Sequence, residues 1–263
     1  MEFLGFHFSY IVIHHTFTAA SSTQTARSRC ELSQKCWTLQ NEPSTHGTAF
    51  PAQTVDDIGL DIWPASEVLC RFLTNHPALA TRATSVLELG AGVGLPGLLA
   101  ALLGEALLML TDYDPQVLEV LQCNIDSNSL SDRGRVHQVN WKTWRGEPDF
   151  GHFELVLGAD LLYASALVKD FVEVLKHVLA PEGVFLMAHQ IRRSILLDPK
   201  TRLPRLEDFD APLELFQRII TDAGLHMREQ LVIKPEKTDS TSDSEFRVLA
   251  VCWTETTLNN MPL

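Results

Sequence analysis

The stretch Ser85-Val86-Leu87-Glu88-Leu89-Gly90-Ala91-Gly92-Val93-Gly94-Leu95-Pro96-Gly97 decides how the chain is read. A short apolar run passes straight into spaced glycines. This predicts a buried strand, a glycine loop and then a helix, because glycines let backbone N–H groups approach a ligand while the helix turns its positive N-terminus toward it. Pro96 suits the first turn of that helix, which the spacing carries through Leu103.

The loop alone leaves two registers open. Gly92-Val93-Gly94-Leu95-Pro96-Gly97 matches the GxGxxG dinucleotide fingerprint, with Asp112 about twenty residues on as a ribose-binding acid. The other register counts from Gly90, the first glycine after the apolar strand, and uses Glu88 as an acid at the strand end facing the ligand. In that register Glu88, Gly90, Ala91 and Gly92 line the cofactor.

Outward from the loop, short β-rich runs alternate with helical periods. Strands are expected at 85–89, 106–111, 135–139, 153–158, 184–189, 226–233 and 246–253. A helix opens at Asp114-Pro115 with Val117, Leu118, Leu121 and Ile125 on one stripe. Another carries Leu167, Phe171, Val174, Leu175 and Val178 and stops at a Pro181-Glu182-Gly183 turn, and a further one runs from Ala211 to Ala223 before Gly224. The last two strands, separated by a polar segment, pair as an antiparallel hairpin. The expected fold is α/β: a Rossmann-like, doubly wound, seven-stranded mixed sheet, mostly parallel with the last strand antiparallel, and helices on both faces.

Residues 1–48 stand apart from this domain at 49–263. Aromatic residues such as Phe3, Phe6 and Phe8 precede a Ser/Thr-rich run with no acid between Glu2 and Glu31. That composition fits a poorly ordered extension or an organelle transit segment. A formal charge of −12 disfavours nucleic acid, whose phosphates need Lys and Arg, and suits a basic protein partner. No apolar run reaches about eighteen residues, so no membrane span is expected. Five cysteines, Cys30, Cys36, Cys70, Cys123 and Cys252, show neither CxxC nor metal-ligand spacing, which points to a reducing, cytoplasmic setting without a bound metal.

In an open α/β sheet the ligand lies beyond the carboxyl ends of the strands, so the residues just after each strand are the candidates. Asp114 is explained as a helix N-cap, which leaves Asp112 to accept both ribose hydroxyls. Trp141 follows the third strand, where an indole can pack on an adenine ring. Trp63 is open between a ligand contact and a packing staple for the first helix. Gly158-Ala159-Asp160-Leu161-Leu162-Tyr163 follows the fourth strand. An acid there is poorly explained by an apolar strand, but it suits a methyl acceptor. Displacement at a sulfonium methyl needs a neutral nucleophile, and a lysine amine with reference pKa about 10.4 must first lose its proton. Asp160 would orient the incoming ammonium, with Tyr163 one helical turn later shaping the slot; the alternative is that Asp160 caps the next helix. His189, at the end of the fifth strand, is a second candidate for general base or structural hydrogen bonder. The insert at 191–210 lies on the same rim and would select substrate.

Taken in order, Gly59-Leu60-Asp61-Ile62-Trp63, Leu87 to Gly97, Thr111-Asp112, Asn140-Trp141 and Phe153 to Tyr163 resemble the seven-β-strand protein-lysine methyltransferases with a DxxY motif, grouped as methyltransferase family 16 and its methyltransferase-like family 21 relatives. The resemblance covers about residues 52–253. It implies S-adenosylmethionine as cofactor, held by Trp63, Gly90, Ala91, Gly92, Asp112, Trp141 and Ala159, with Asp160 and Tyr163 on the acceptor side. It further implies a monomeric enzyme that methylates a lysine of a protein. Asn140 departs from relatives that carry an acid or small residue, and Gln190-Ile191-Arg192-Arg193 is similar to an arginine-directed relative. Arginine-directed or small-molecule N-methyl transfer, and a non-catalytic cofactor-binding scaffold, stay open as alternatives.

Overall fold

In the computed structural model, residues 59–198, 200–233 and 244–262 are described, together with the backbone of two upstream strands. Those strands, β1 (Ile11–Thr18) and β2 (Glu31–Trp37), pair antiparallel; the rest of the 1–48 segment lies outside the described residues. The sequence then forms α1 (Pro64–Asn75), α2 (Ala78–Thr81), β3 (Ser85–Glu88), α3 (Leu95–Leu103), β4 (Leu107–Asp112), α4 (Pro115–Ser127), β5 (Gly134–Gln138) and β6 (Phe153–Ala159). It continues as α5 (Ser165–Val178), β7 (Leu179–Gln190), β8 (Ile195–Leu197), β9 (Pro204–Leu206), α6 (Ala211–Asp222), β10 (His226–Ile233), β11 (Phe246–Cys252) and α7 (Glu255–Asn259).

Seven strands form one sheet in the order β10-β11-β7-β6-β3-β4-β5. β5, β4, β3, β6 and β7 run parallel, and β11 is antiparallel to both β7 and β10. This is the mixed, doubly wound sheet that the alternating pattern predicts. The chain builds outward from β3 through β4 to β5, then returns to place β6 on the other side of β3. The direction of winding therefore reverses between β3 and β6, the place where open sheets of this kind form their ligand crevice at the carboxyl ends of the strands.

Alternation along the strands feeds two cores. Val86, Leu108, Leu110, Leu155 and Leu157 pack with α1, α3 and α4, while Leu87, Leu89, Val156, Phe185 and Met187 pack with α5 and α6. Covering both faces is why these strands read as continuous apolar runs. At the centre of the second core Phe171 is fully buried, its ring centroid 5.7 Å from Phe185 and 6.0 Å from Phe216.

Asp114 caps α4 as expected, accepting the Gln116 N–H at 2.9 Å, and the structure adds a second cap, Asp210 of α6, which accepts the Leu213 N–H at 2.9 Å. One expected turn has a different form. Leu179 pairs with Phe153 and Val184 with Leu155, so Pro181-Glu182-Gly183 lies in a bulge inside β7. Gly183 permits it, since a Cβ there would lie 2.7 Å from the Phe153 carbonyl oxygen. Among the described residues no helix is long and apolar enough to cross a membrane. Cys70, Cys123 and Cys252 are free thiols.

The junction of β3 with α3 depends on Glu88, only 1% exposed, whose Oε2 accepts the Gly97 N–H at 2.8 Å. That N–H is one of the donors a helix start leaves without an intrahelical partner. Burial pushes the Glu88 carboxyl up to about 8; the Gly97 N–H opposes this, and the neighbouring Asp112 charge adds to it.

Two predictions follow from this packing. Phe171→Ala should cost about 3–5 kcal/mol, read from the shift in urea denaturation midpoint at constant m. A carboxyl with a raised native pKa binds its proton more tightly folded than unfolded, so its contribution is lost as pH rises from about 4.5 to about 8. Glu88→Gln keeps an acceptor for Gly97 and should flatten the fall in stability across that window, measured as melting temperature against pH.

Candidate functional site

Gly90, Gly92 and Gly94 have φ of 57°, 53° and 81°, in the left-handed region that side chains disfavour. At Gly90 space adds to the constraint: a Cβ would lie 2.9 Å from Leu161 Cδ2 and 3.3 Å from Trp141 Cζ2. The loop is fixed from several sides. Ala91 N–H donates to the Thr111 carbonyl at 2.8 Å, and Gly92 N–H donates to Asp112 Oδ2 at 3.1 Å. Asn124 Nδ2 donates to the Val93 carbonyl at 2.9 Å. Sequence reasoning missed Asn124, although its signal is present: a polar residue on the buried stripe of α4, between Leu121 and Ile125.

Asp112 stands where the sequence predicts, at the end of β4, but it is not wholly free. Besides Gly92, its Oδ1 accepts the Tyr113 N–H at 2.7 Å and the Asp114 N–H at 3.2 Å. Burial raises its carboxyl pKa, and these three donors oppose the rise. A carboxylate has about four lone-pair positions, so acceptor capacity remains, though less than for an unengaged side chain. Glu88 is put to another use than the ligand contact expected of it, since its carboxylate lies under α3 on Gly97.

The aromatic candidates gather around the loop. Trp141 is half-buried, 5.0 Å from the Phe171 ring and against Gly90. Trp63 is exposed at the start of α1. Its segment passes the loop at Gly59, whose carbonyl oxygen is 3.0 Å from where a Gly92 Cβ would be. Tyr163 is exposed, and partial burial raises its phenol, with the charges of Tyr113 and Asp112 raising it further.

Across the crevice, Ala159 ends β6 and pairs with Ala188 of β7. Asp160 follows with φ 60°, its N–H donating to the Ala188 carbonyl at 2.8 Å. The alternative of Asp160 as helix cap is overturned: α5 begins at Ser165 after Ala164, because the left-handed backbone at 160 turns the chain away from a helical start. Tyr163 accordingly sits in the loop ahead of α5, not one helical turn after Asp160.

Asp160 has a partner that the sequence did not reveal. Arg192 grips it at two points, Nη1 on Oδ1 at 2.5 Å and Nη2 on Oδ2. Arg192 N–H donates to Asp210 Oδ2 at 2.6 Å, and the same oxygen lies 3.0 Å from His189 Nε2. His189 is fully buried, with Nδ1 3.6 Å from Asp160 Oδ1. Burial alone would raise Asp210, but His189 and the Arg192 and Leu213 N–H groups hold its carboxyl below the usual range. The only hints in sequence are the two arginines after β7 and an acid at the α6 cap. Between them the 191–210 insert forms the β8–β9 hairpin, which exposes Ile195, Leu196, Leu197 and Leu206.

Comparisons with known proteins agree with this geometry. A Pyrococcus horikoshii protein assigned as a transferase has the same fold, with a TM-score of 0.50 at 18% identity over 76% of this chain and 68% of its own. The protein N-lysine methyltransferase METTL21A of Danio rerio is 37% identical over 134 residues, 50% of this chain and 60% of that protein. The calmodulin-lysine N-methyltransferase of Arabidopsis thaliana is 28% identical over 177 residues, 65% of this chain and 53% of that protein. The match thus spans less than two thirds of these relatives' lengths. A family model described as lysine methyltransferase matches residues 45–198, more than half of the sequence. The chain belongs to the lysine methyltransferase family.

Proposed function

We propose that this chain transfers the methyl group of S-adenosylmethionine to a lysine side chain of a protein. The observation that carries the reading is the reversal of winding between β3 and β6, where the Gly90–Gly94 loop leaves the carboxyl end of one strand and Ala159-Asp160 ends the other. The cofactor, when bound, supplies a methyl carbon made electrophilic by sulfonium sulfur. The chain's own residues supply position and exclude water.

Gly90, Ala91 and Gly92 present a bare backbone, and the remaining acceptor capacity of Asp112 suits two ribose hydroxyls. Trp141 and Trp63 offer flat apolar surfaces for the adenine and the rim, and Ala159 leaves room beside them. Glu88 acts one step back, by holding the start of α3. Asp160 and Tyr163 border the acceptor. A protein partner with a basic, lysine-bearing surface suits the net charge of −12, and the curated relatives named as protein-lysine methyltransferases support the same acceptor class.

Incubation with labelled S-adenosylmethionine and cell lysate should mark a discrete protein band that yields methyl-lysine on acid hydrolysis. Label confined to small molecules would replace the protein acceptor, and no label across lysates would sink the reading. Asp112→Ala should weaken S-adenosylhomocysteine binding by about 1.5–3 kcal/mol, measured by calorimetry.

A further inference from the structure

An acceptor amine approaching Asp160 from solvent meets Arg192 first. The Asp160 side chain is 5% exposed and that of Arg192 34%. Arg192 is anchored at both ends: its guanidinium on Asp160 and on the Gln190 carbonyl at 3.2 Å, its backbone N–H on Asp210. An arginine held this way is a fixed part of the wall.

We propose that Arg192 is a positioning residue for the acceptor: by pairing permanently with Asp160 it makes this side of the crevice favour an uncharged amine over an ammonium. The inference rests on the methyl-transfer reading. In that reaction the amine lone pair forms the N–C bond as the C–S bond breaks and its electrons go to sulfur; the methylammonium product then releases its proton to solvent. The amine must therefore arrive without its proton. An unpaired Asp160 carboxylate beside it would hold that proton on, since an opposite charge within about 4–6 Å raises an amine pKa by roughly 1–3 units.

The other charged groups packed against the pair are engaged in the same manner. His189 of β7 bonds Asp210 of the α6 cap, and Glu245, ahead of β11, is held by Arg247 and Arg193 below its ordinary carboxylate value against the effect of its burial. On the β4 side Asp112 accepts three backbone N–H groups.

The test is the pH dependence of kcat with the lysate protein labelled by the wild-type enzyme, purified, as acceptor. Arg192→Gln should move the acid limb up by about one unit, lowering kcat about tenfold at pH 7 while KM holds or falls. Arg192→Lys should return the limb toward wild type. In an Asp160→Asn background, which suits the left-handed backbone there, Arg192→Gln should no longer move it. Thermal midpoints and S-adenosylhomocysteine affinity report that each variant is folded. A uniform loss of kcat with the limb unmoved overturns the proposal in favour of a scaffold role. A higher kcat/KM at pH 7 for Arg192→Gln overturns it in favour of Arg192 competing with the acceptor for Asp160. Failure of the wild-type enzyme to label any protein at any pH overturns the protein-acceptor reading first, and this inference with it.

Discussion

A Cβ on Gly97 would lie 2.6 Å from Leu110 Cδ2 and 2.7 Å from Glu88 Oε2, so α3 rests directly on the sheet with no room for a side chain between them. That contact sets where α3 starts, and hence where the preceding loop must turn. The chain has only residues 89–94 in which to leave β3, reverse and enter the helix, and left-handed backbone at three glycines accomplishes this. Everything the crevice offers is referenced to that turn: Asp112 grips Gly92, Asn124 grips Val93, and Trp141 and Leu161 close over Gly90.

The loop's geometry also explains how one sequence run can carry two fingerprints. Gly97 is the third glycine of the dinucleotide pattern, the one used for close helix–sheet packing, and here it meets that same need. A shared packing constraint produces a shared motif. The ligand class must then be argued from the opposite wall, where β6 delivers Ala159 and Asp160.

Much of this was legible because it is local. Strand alternation and the Asp114-Pro115 helix start each express themselves within a few residues. The parallel order followed from alternation with helices. What the sequence concealed depends on residues far apart in the chain. Arg192 finds Asp160 across 32 residues and His189 finds Asp210 across 21, with no periodicity to announce either pair. Asp112 was expected to be free because nothing in an amino-acid string shows that the backbone of Gly92, Tyr113 and Asp114 would converge on it. Tyr163 was displaced from its expected helix by a single left-handed residue, Asp160, a conformation that Asp tolerates better than most but that no neighbouring residue forecasts.

The β8–β9 hairpin leaves the domain at Arg192 and returns at Asp210, and a hydrogen bond between those two residues ties its base. Chain closure of a segment already tied at its base grows only slowly in entropic cost with length, by about 0.6 kcal/mol per doubling. Residues inside the tie are thus thermodynamically insulated from those that hold Asp160. Insertions, deletions or wholesale rewriting of the hairpin surface leave the carboxylate's surroundings in place, so this segment can diversify under selection while the chemistry beneath it stays fixed.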